Sequence, residues 1–377
     1  MGTKPSNKER LFGPDLIRAL AIVLVLASHT LPGGTEYPIL GVARYYLGFL
    51  GVEIFFVLSG FLIGGILLDE LYSDRLAEIS GILSFWKRRW FRTLPNYYLF
   101  LLIAIFLDRL SLGKFPDAGR YFWFGQALYY PTPTFFTLAW SLSIEEWFYL
   151  LFPLALFVFA KLLKSPPAAV LSVIVIFIVT PVILRFFLPA TANWTMGVKA
   201  VTLPRLDAIA YGVVLAFTKR VHPGIWRVLT KFSPVGMIAV LGLFGHFCHF
   251  GYVTSDSIFY RVFYFCIVSS CLALAFPRIL DLTEPAGRWK VIFKKLSLWS
   301  YSIYLSQTPV IGIVDLALKH LGVGYFQAHI DRCILTWLLC IPLSALVYRV
   351  FEKPLMDLRD RPMKSIFPKL AWKTVEG

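Results

Sequence analysis

The first strongly apolar segment of the chain contains residue types capable of acid–base and anion-binding chemistry. Asp15, Arg18 and His29 lie between residues 12 and 31, where a membrane helix otherwise has apolar side chains. A charge inside a bilayer costs on the order of 3 kcal/mol or more unless it faces a protein interior or a water-filled cavity. Eleven helical steps place Arg18 and His29 on one face, about 16 Å apart along the axis. Either this face connects two depths of the membrane, or the two residues anchor the helix at opposite interfaces.

A cluster of cations precedes the third predicted span. Lys87, Arg88, Arg89 and Arg92 lie close together and are followed by Pro95. Guanidinium groups bind phosphate through paired hydrogen bonds, so these arginines are candidates for a phosphate clamp at the cytoplasmic face. The alternative is ordinary positive-inside anchoring or contact with anionic lipids.

The start of the fourth predicted span combines hydroxyl and carboxylate groups. Ser141, Ser143, Glu145 and Glu146 fall within an otherwise apolar stretch that begins at Trp140. Neighbouring positions on a helix point about 100° apart. We therefore expect one carboxylate to face a cavity and the other to face a neighbouring cation.

The sixth predicted span begins with a further cation and carboxylate. Arg205 and Asp207 either belong to a functional polar site or form an internal ion pair that holds helices together. We predict that both lie toward the extracytoplasmic ends of their helices with His29 and Glu145, whereas Arg18 and the arginine cluster lie toward the cytoplasm. This arrangement predicts a site that extends through the membrane and receives an anionic ligand from the cytosol.

The composition of the chain is that of a membrane protein. Of its 377 residues, 58% are hydrophobic and 16% are charged, and its mean hydropathy is +0.68. Soluble domains carry about 25% charged residues, so a water-soluble globular enzyme is excluded. We predict an all-α polytopic membrane protein of about ten transmembrane helices, at residues 12–31, 45–68, 93–108, 137–160, 168–188, 201–218, 234–250, 257–278, 296–318 and 327–351.

The distribution of the net charge of +15 predicts the topology. When Lys and Arg residues are assigned to alternate sides of ten spans, 25 fall on the side of the termini and 9 on the other. The positive-inside rule then places both termini in the cytoplasm, and no nucleic-acid partner is needed to explain the charge. A cleaved signal peptide is the alternative for the N-terminus, but Asp15 and Arg18 interrupt the apolar core that it requires.

The other candidate features favour structure over chemistry. The five cysteines form no CxxC pair, so neither a disulfide framework nor a zinc ribbon is predicted. His246 and His249, with Cys248 between them, lack a clear third and fourth ligand, and we predict no metal site. The aromatic residues of segment 121–130 either anchor at a membrane interface or stack on sugar rings.

Several motifs, in one order along the chain, resemble those of the acyltransferase-3 family of integral membrane acyltransferases. The family's Arg-x10-His signature falls on Arg18 and His29. The other matching positions are Phe55, Phe56, Ser59, Gly60, Phe61, Leu62, Arg88, Arg89, Arg92, Pro95, Trp140 to Glu145, Arg205, Asp207, Gly212, Tyr301, Tyr304 and Glu352 to Pro354.

The resemblance implies transfer of an acyl group, usually acetyl, from cytoplasmic acetyl-CoA or another acyl-CoA to a hydroxyl of a cell-surface glycan such as lipopolysaccharide O-antigen. It implies a bacterial inner-membrane protein in contact with lipids, with cytoplasmic tails at 1–11 and 355–377 and a transmembrane acyltransferase domain at 12–354. The short tail is typical of a stand-alone form without a periplasmic esterase-like domain. Alternative acceptors are a small secreted metabolite or a lipid-linked glycan, and the alternative from another class is a secondary transporter or flippase.

The resemblance also implies roles for individual residues. Arg88, Arg89 and Arg92 hold the CoA phosphates, and the pantetheine arm passes Arg18 toward His29. His29 either deprotonates the acceptor hydroxyl or accepts the acyl group itself. Glu145 either orients the imidazole of His29 or stabilises its protonated form. Many relatives have His at the position of Gln307. The glutamine side chain can still form hydrogen bonds, but it cannot take up or release a proton as His does. The remaining polar residues, which contact the acceptor or stabilise the fold, are Asp15, Ser141, Ser143, Arg205, Asp207 and Gln307.

Overall fold

The computed structural model describes residues 11–32, 38–128, 135–250, 255–285, 287–323 and 325–359. Within these ranges the chain is predominantly helical and contains no β-strand, as predicted. The α-helices are α1 (Phe12–Thr30), α2 (Pro38–Tyr72), α3 (Ile79–Leu112), α4 (Ala139–Leu163), α5 (Pro166–Phe186), α6 (Asp207–Val221), α7 (Pro223–Phe250), α8 (Tyr264–Leu280), α9 (Arg288–His320), α10 (Tyr325–Val347) and α11 (Lys353–Arg359). Shorter 3₁₀ turns occupy Arg75–Ala77, Gly119–Trp123 and Leu203–Arg205, and π-turns occupy Trp194–Lys199, Phe259–Phe263 and Tyr348–Glu352.

Eight helices in the described part of the chain are long and apolar enough to cross a membrane, which confirms a multi-pass membrane protein. All ten predicted spans contain helix, but α6 and α9 do not belong to this group of eight. Helix α6 has only 15 residues, and α9 begins with a basic segment. Both helices nevertheless pack within the bundle, α6 against α2 and α9 against α1.

Several helices begin well before the apolar runs from which they were predicted. Helix α3 begins at Ile79 instead of residue 93, and α7 begins at Pro223 instead of residue 234. The added turns contain Lys, Arg and Trp, which lower the hydropathy there, so the apolar runs alone did not mark the starts of these helices. The arginine cluster therefore lies within α3 and not in a loop before it, which corrects the predicted boundary.

The aromatic segment between α3 and α4 divides between the core and the surface. Tyr121 is buried, and its hydroxyl donates a hydrogen bond to the carbonyl oxygen of Phe135. Phe122 and Trp123 are exposed, and the later part of the predicted aromatic cluster lies in 129–134, outside the described residues. Tyr121 is thus a core residue, and its two exposed neighbours remain candidates for anchoring or sugar stacking.

Helices α2 and α6 cross in direct backbone contact, which two glycines make possible. A methyl group added at Gly60 would lie 1.8 Å from the carbonyl oxygen of Ile209, and one added at Gly212 would lie 2.0 Å from that of Val57. Small residues let membrane helices approach closely, so that van der Waals packing holds them together. This contact fixes the position of two helices that both carry buried charges.

The glycine contact predicts a difference between two matched alanine variants on α2. Gly60→Ala forces a methyl group into the α6 backbone, whereas Gly65 has no atom within 4 Å of an added methyl. We expect Gly60→Ala to destabilise the protein by about 1–3 kcal/mol, and Gly65→Ala to leave stability unchanged or raise it by up to about 1 kcal/mol. Thermal unfolding in detergent, followed by size-exclusion chromatography, measures both. Equal melting temperatures for the two variants would contradict the close α2–α6 contact.

Candidate functional site

Three adjoining cavities follow one another through the bundle. The inner cavity, about 430 Å³, lies at the start of α1; the middle cavity, about 110 Å³, follows; and the outer cavity, about 250 Å³, lies at the opposite end of α1. The inner and middle cavities share four lining residues, Arg18, Leu62, Arg89 and Arg92. The middle and outer cavities share Val52 and Tyr304. Because neighbouring cavities share wall residues, they form a series along α1, which is called the route below.

The two arginines that face this route are one helical turn apart on α3. Arg89 and Arg92 are at i and i+3, so they share a face, and both line the inner and middle cavities. Arg88 is rotated by about 100° from Arg89 and lines none of the three cavities. It forms an ion pair with Glu70 instead. The structure therefore separates Arg88 from the other two members of the predicted phosphate clamp.

Arg89 and Arg92 have no carboxylate within salt-bridge distance among the described residues. The Arg89 guanidinium lies 5.6 Å from the ring centroid of Tyr149 and 6.0 Å from that of Phe85. Tyr149 is held by a 2.5 Å hydrogen bond between its hydroxyl and that of Ser59. Two cations thus line a cavity with aromatic and hydroxyl groups as their close neighbours.

Arg18 and Asp15 are connected through a serine of α9. The Arg18 guanidinium donates to the Ser297 hydroxyl at 3.4 Å, and that hydroxyl donates to Asp15 Oδ1 at 2.6 Å. Asp15, Arg18 and Ser297 all line the inner cavity, and Arg18 also reaches the middle one. The first predicted polar residues of α1 therefore lie on the route, at its inner end.

The two adjacent glutamates of α4 face different neighbours, as their 100° offset requires. Glu145 lines the middle cavity, where Arg89 and then Arg92 are the charges that act on it most strongly. Glu146 is buried and interacts with Thr93 of α3. Glu145 and His29 line different cavities, and the groups that act on His29 are the Val25 carbonyl and the cations Lys199, Arg44 and Arg332, not Glu145. The structure therefore gives no support to the expected pairing of Glu145 with the imidazole.

His29 is oriented by the backbone of its own helix. Its Nδ1 lies 2.8 Å from the carbonyl oxygen of Val25. A carbonyl oxygen only accepts hydrogen bonds, so Nδ1 carries the proton and the neutral ring has its lone pair on Nε2. The Ser28 hydroxyl donates to the same carbonyl at 2.7 Å. A backbone carbonyl therefore sets the tautomer that was expected to depend on Glu145.

The outer cavity contains two cations that the sequence interpretation did not single out. Arg44 and Lys199 line it together with His29. Lys199 ends the π-turn after α5, and its Nζ lies 5.1 Å from the ring centroid of Tyr45 and 5.3 Å from that of Trp140. Burial, with a smaller effect of Arg205, lowers the pKa of Lys199 to about 8. The amine is consequently still largely protonated near pH 7.

The two serines of the Trp-Ser-Leu-Ser segment have different positions. The Ser141 hydroxyl is 2.6 Å from that of Tyr304, and both residues line the middle cavity. Ser143 is fully buried and donates to the carbonyl oxygen of Phe124 at 2.5 Å. Ser141 therefore lies where the middle and outer cavities meet, and Ser143 fastens the preceding loop to α4.

Arg205 and Asp207 belong to a buried ionic network and line none of the three cavities. They do not pair with each other: Arg205 forms an ion pair with Glu53, and Asp207 accepts hydrogen bonds from Arg185 at 2.7 and 3.0 Å. All four side chains are fully buried, and the Arg205 guanidinium lies 3.6 Å from the ring centroid of Phe265. The structure is therefore closer to the interpretation of Arg205 and Asp207 as internal ion-pair residues. Their partners, Glu53 and Arg185, were not predicted from the sequence, although each is a charge within an apolar run.

Gln307 and Glu352 are also held by defined contacts. Gln307 is fully buried, lines none of these cavities, and donates to the carbonyl oxygen of Tyr304 at 3.1 Å. Glu352 lines the inner cavity and accepts hydrogen bonds from Ser302 at 2.7 Å and from Asn96 at 3.2 Å. Gln307 is thus a neighbour of a cavity residue, whereas Glu352 fixes the end of α10 beside the route.

The ionic network predicts a large difference between a buried and an exposed charge neutralisation. Glu53→Gln leaves the Arg205 guanidinium buried without its carboxylate, which we expect to cost about 3–5 kcal/mol. The matched control is Glu284→Gln, whose pair with Lys290 is exposed and worth about 0–1 kcal/mol. Thermal unfolding in detergent compares them. A melting temperature of Glu53→Gln equal to that of the control would argue against a structural role for the network.

Comparisons with known proteins agree with the motifs. The profile of a family described as an acyltransferase domain matches residues 11–349. Peptidoglycan O-acetyltransferase OatA of Listeria monocytogenes is 27% identical over 369 residues, which cover 90% of this chain and 55% of the relative. The putative peptidoglycan O-acetyltransferase YrhL of Bacillus subtilis is 34% identical over 171 residues, 39% of this chain and 26% of the relative. O-acetyltransferase OatA of Staphylococcus aureus is 28% identical over 212 residues, 50% of this chain and 34% of the relative.

The chain spans about half the length of the Listeria relative and a smaller share of the other two. No solved structure matches it. The family profile nevertheless covers nearly the whole helical bundle, from the start of α1 to the end of α10. The chain therefore belongs to the acyltransferase-3 family of membrane acyltransferases.

Proposed function

We propose that this protein transfers an acyl group, in particular acetyl, from cytoplasmic acyl-CoA to a hydroxyl of a cell-surface glycan on the other side of the membrane. The observation that carries the proposal is the series of adjoining cavities, with Arg89 and Arg92 at one end and His29 at the other. Each end has the chemistry that one substrate requires. The names of the three relatives, all O-acetyltransferases, support the same reaction class.

The inner cavity suits the phosphate groups of the donor. Arg89, Arg92 and Arg18 line it, and guanidinium groups bind phosphate through paired, charge-assisted hydrogen bonds. Since Arg89 and Arg92 have no carboxylate within salt-bridge distance among the described residues, an arriving phosphate breaks no direct ion pair there, although the Glu145 charge acts on both from across the middle cavity. The proposal assigns the phosphate contacts to these arginines and removes Arg88 from the group.

The middle cavity suits the thin acyl-bearing arm of the donor and not its nucleotide. Its volume of about 110 Å³ is well below the range of about 300–1,000 Å³ of pockets that enclose drug-sized ligands. Apolar residues Val52, Phe55 and Phe56 form much of its wall. The nucleotide therefore stays in the inner cavity, and the arm extends along α1 over the roughly 16 Å between Arg18 and His29.

His29 supplies the base at the outer end. With Nδ1–H bonded to the Val25 carbonyl oxygen, Nε2 accepts the proton of the acceptor hydroxyl as its oxygen attacks the thioester carbonyl. The C–S bond breaks, the new ester forms, and the imidazolium returns its proton to the departing thiolate. In the two-step alternative, Nε2 attacks the thioester carbonyl and the CoA thiolate leaves. The acceptor hydroxyl then attacks the acyl-imidazole, the C–N bond breaks to restore the imidazole, and the hydroxyl proton passes to the thiolate.

Glu145 acts at a distance from the base in this scheme. It lines the middle cavity and interacts most strongly with Arg89 and Arg92. A carboxylate in this position orients both guanidinium groups toward the route before the donor binds. Glu145 is therefore a positioning residue for donor binding, not the partner of the imidazole.

The acceptor is a cell-surface glycan, and two classes remain to be compared. Two of the three relatives are named for peptidoglycan, which favours that acceptor over the lipopolysaccharide O-antigen expected from the sequence. The corresponding location is the bacterial cytoplasmic membrane, with the outer cavity facing away from the cytosol. The alternative from another class, a transporter or flippase, differs from an acyltransferase because it would move glycan without acyl-CoA.

Acyl transfer by purified protein tests the function and the role of His29 together. With labelled acetyl-CoA and either peptidoglycan fragments or O-antigen oligosaccharides, we expect mass-detected acetylation of one acceptor. His29→Ala should lower the rate by about 10²–10⁴-fold because the general base is lost, while acetyl-CoA binding is retained. Glycan movement without acetyl-CoA and without acetylation would favour a transporter. Wild-type activity in His29→Ala would remove this residue from the chemistry.

Neighbouring arginines on α3 give a matched test of the donor site. Arg89→Gln and Arg92→Gln should each weaken acetyl-CoA binding by at least about tenfold, since a charge-assisted hydrogen bond contributes about 1.5–3 kcal/mol. Arg88→Gln, which affects the pair with Glu70 and a hydrogen bond to Ser84 but no cavity wall, should change the dissociation constant less than about threefold. Isothermal titration calorimetry with acetyl-CoA measures all three. A larger loss in Arg88→Gln than in the other two would reverse the assignment.

A further inference from the structure

The outer cavity contains more positive charge than acyl transfer from a neutral thioester to a neutral hydroxyl requires. Arg44 and Lys199 line it beside His29, and no carboxylate is present among its described lining residues. Arg44 donates to the carbonyl oxygen of Leu31 at 3.2 Å. The closest described contacts of the Lys199 ammonium are aromatic ring faces. Neither cation forms an ion pair with a carboxylate in the described part of the chain.

The two fully buried arginines of the bundle provide a contrast with Lys199. Arg185 and Arg205 are fully buried, and each has its own carboxylate. A cation–π contact contributes about 0.5–2 kcal/mol, less than the several kcal/mol that desolvating an ion costs. The half-buried Lys199 ammonium feels the charge of Glu53 from a distance, but it lacks the direct ion pair that the fold provides for each of the two arginines.

The local backbone holds Lys199 in place rather than letting it extend into solvent. It ends a π-turn whose first residues are capped by Asn193, with Oδ1 accepting from the amides of Thr195 and Met196 at 3.0 Å. The Thr195 hydroxyl is 2.8 Å from that of Tyr45, which ties the turn to α2 beside the cavity. π-turns are frequent at functional sites.

We propose that Lys199 and Arg44 bind an anionic substituent of the acceptor, so that the acceptor is an acidic sugar unit carrying a carboxylate or a phosphate near the hydroxyl that is acylated. The inference rests on the proposed function, since it takes the outer cavity as the place where acceptor and His29 meet. Trp140 and Tyr45 supply flat apolar faces in the same cavity. The two cations hold the anionic group, and the acceptor hydroxyl is directed to the imidazole.

Three acceptors of matched structure test the charge requirement. They are a hexuronate glycoside, its uncharged carboxamide and the corresponding hexose phosphate glycoside. We expect wild-type protein to prefer one anionic acceptor to the carboxamide by at least about tenfold in kcat/KM, because a charge-assisted hydrogen bond contributes about 1.5–3 kcal/mol. The preferred member of the two anions distinguishes carboxylate from phosphate recognition.

Variants of the two cations connect this preference to the cavity. Lys199→Gln and Arg44→Gln should each raise KM for the anionic acceptor by at least about tenfold with little change for the carboxamide, and Lys199→Arg should retain the preference. The matched control is Lys319→Gln, because Lys319 is exposed at the end of α9 and lines none of the three cavities. Melting temperatures establish that each variant is folded, and Arg44→Gln serves if Lys199→Gln is not.

The outcomes separate this inference from the proposed function. Equal losses on the charged and uncharged acceptors, or no preference in the wild type, would overturn the anion site and assign Lys199 to the reaction intermediate or to structure. Binding of the hexuronate measured by tryptophan fluorescence without acetyl-CoA gives an independent readout. Charge-dependent binding that requires Lys199, without any acyl transfer, would retain the anion site and reject the proposed function. Displacement of the hexuronate by phosphatidylglycerol nanodiscs but not by neutral-lipid nanodiscs would assign the cations to lipid headgroups and overturn the inference.

Discussion

The structure depends on the high cost of a charge that is removed from water without a partner. Two arginines satisfy this constraint with carboxylates from other helices: Arg185 with Asp207 and Arg205 with Glu53. These pairs connect α2 and α6 to the segments around them, where glycine contacts already bring the two backbones together. Arg89, Arg92 and Lys199 have no carboxylate at salt-bridge distance among the described residues, and they line cavities instead. The same constraint thus separates the charges that hold the bundle together from those available to ligands.

Helix α1 gives the route its direction. Its inner end presents Asp15 and Arg18, and its outer end presents His29. Helices α3, α4 and α9 supply the remaining polar groups at intermediate depth, including Glu145 and Tyr304. Because α1 packs against α2 and α9 along the bundle, the two substrate ends keep a fixed separation. Under the proposed function, donor binding and acceptor chemistry would then occupy opposite ends of α1 without a large movement of this helix.

The sequence alone was sufficient where a single helix determined the geometry. The 3.6-residue period placed Arg18 and His29 along one route, and it explains why Glu145 and Glu146 face different neighbours. Reasoning from the sequence failed where the position of a side chain depended on contact with a second helix or turn. Arg88 was grouped with Arg89 because the start of α3 was placed too late. Glu145 was paired with His29 because its interaction with Arg89 and Arg92 depends on the packing of α3 beside α4. Glu53 and Arg185 could have been found as charges within apolar runs, but their partners are long-range. Lys199 gave no signal, because its position depends on a π-turn between helices.

The contact between Ser141 and Tyr304 has a consequence for the cell as well as for the reaction. A path that joins the cytosol to the outside would dissipate ion gradients if water filled it continuously. The two hydroxyls are 2.6 Å apart where the middle and outer cavities meet, and Tyr304 also donates to the carbonyl oxygen of Leu138 at 3.1 Å. If the cavities serve the proposed transfer, these hydrogen bonds between α4 and α9 would close the junction until a substrate parts them. An enzyme of that kind would reach both sides of a membrane while preserving the proton-motive force across it.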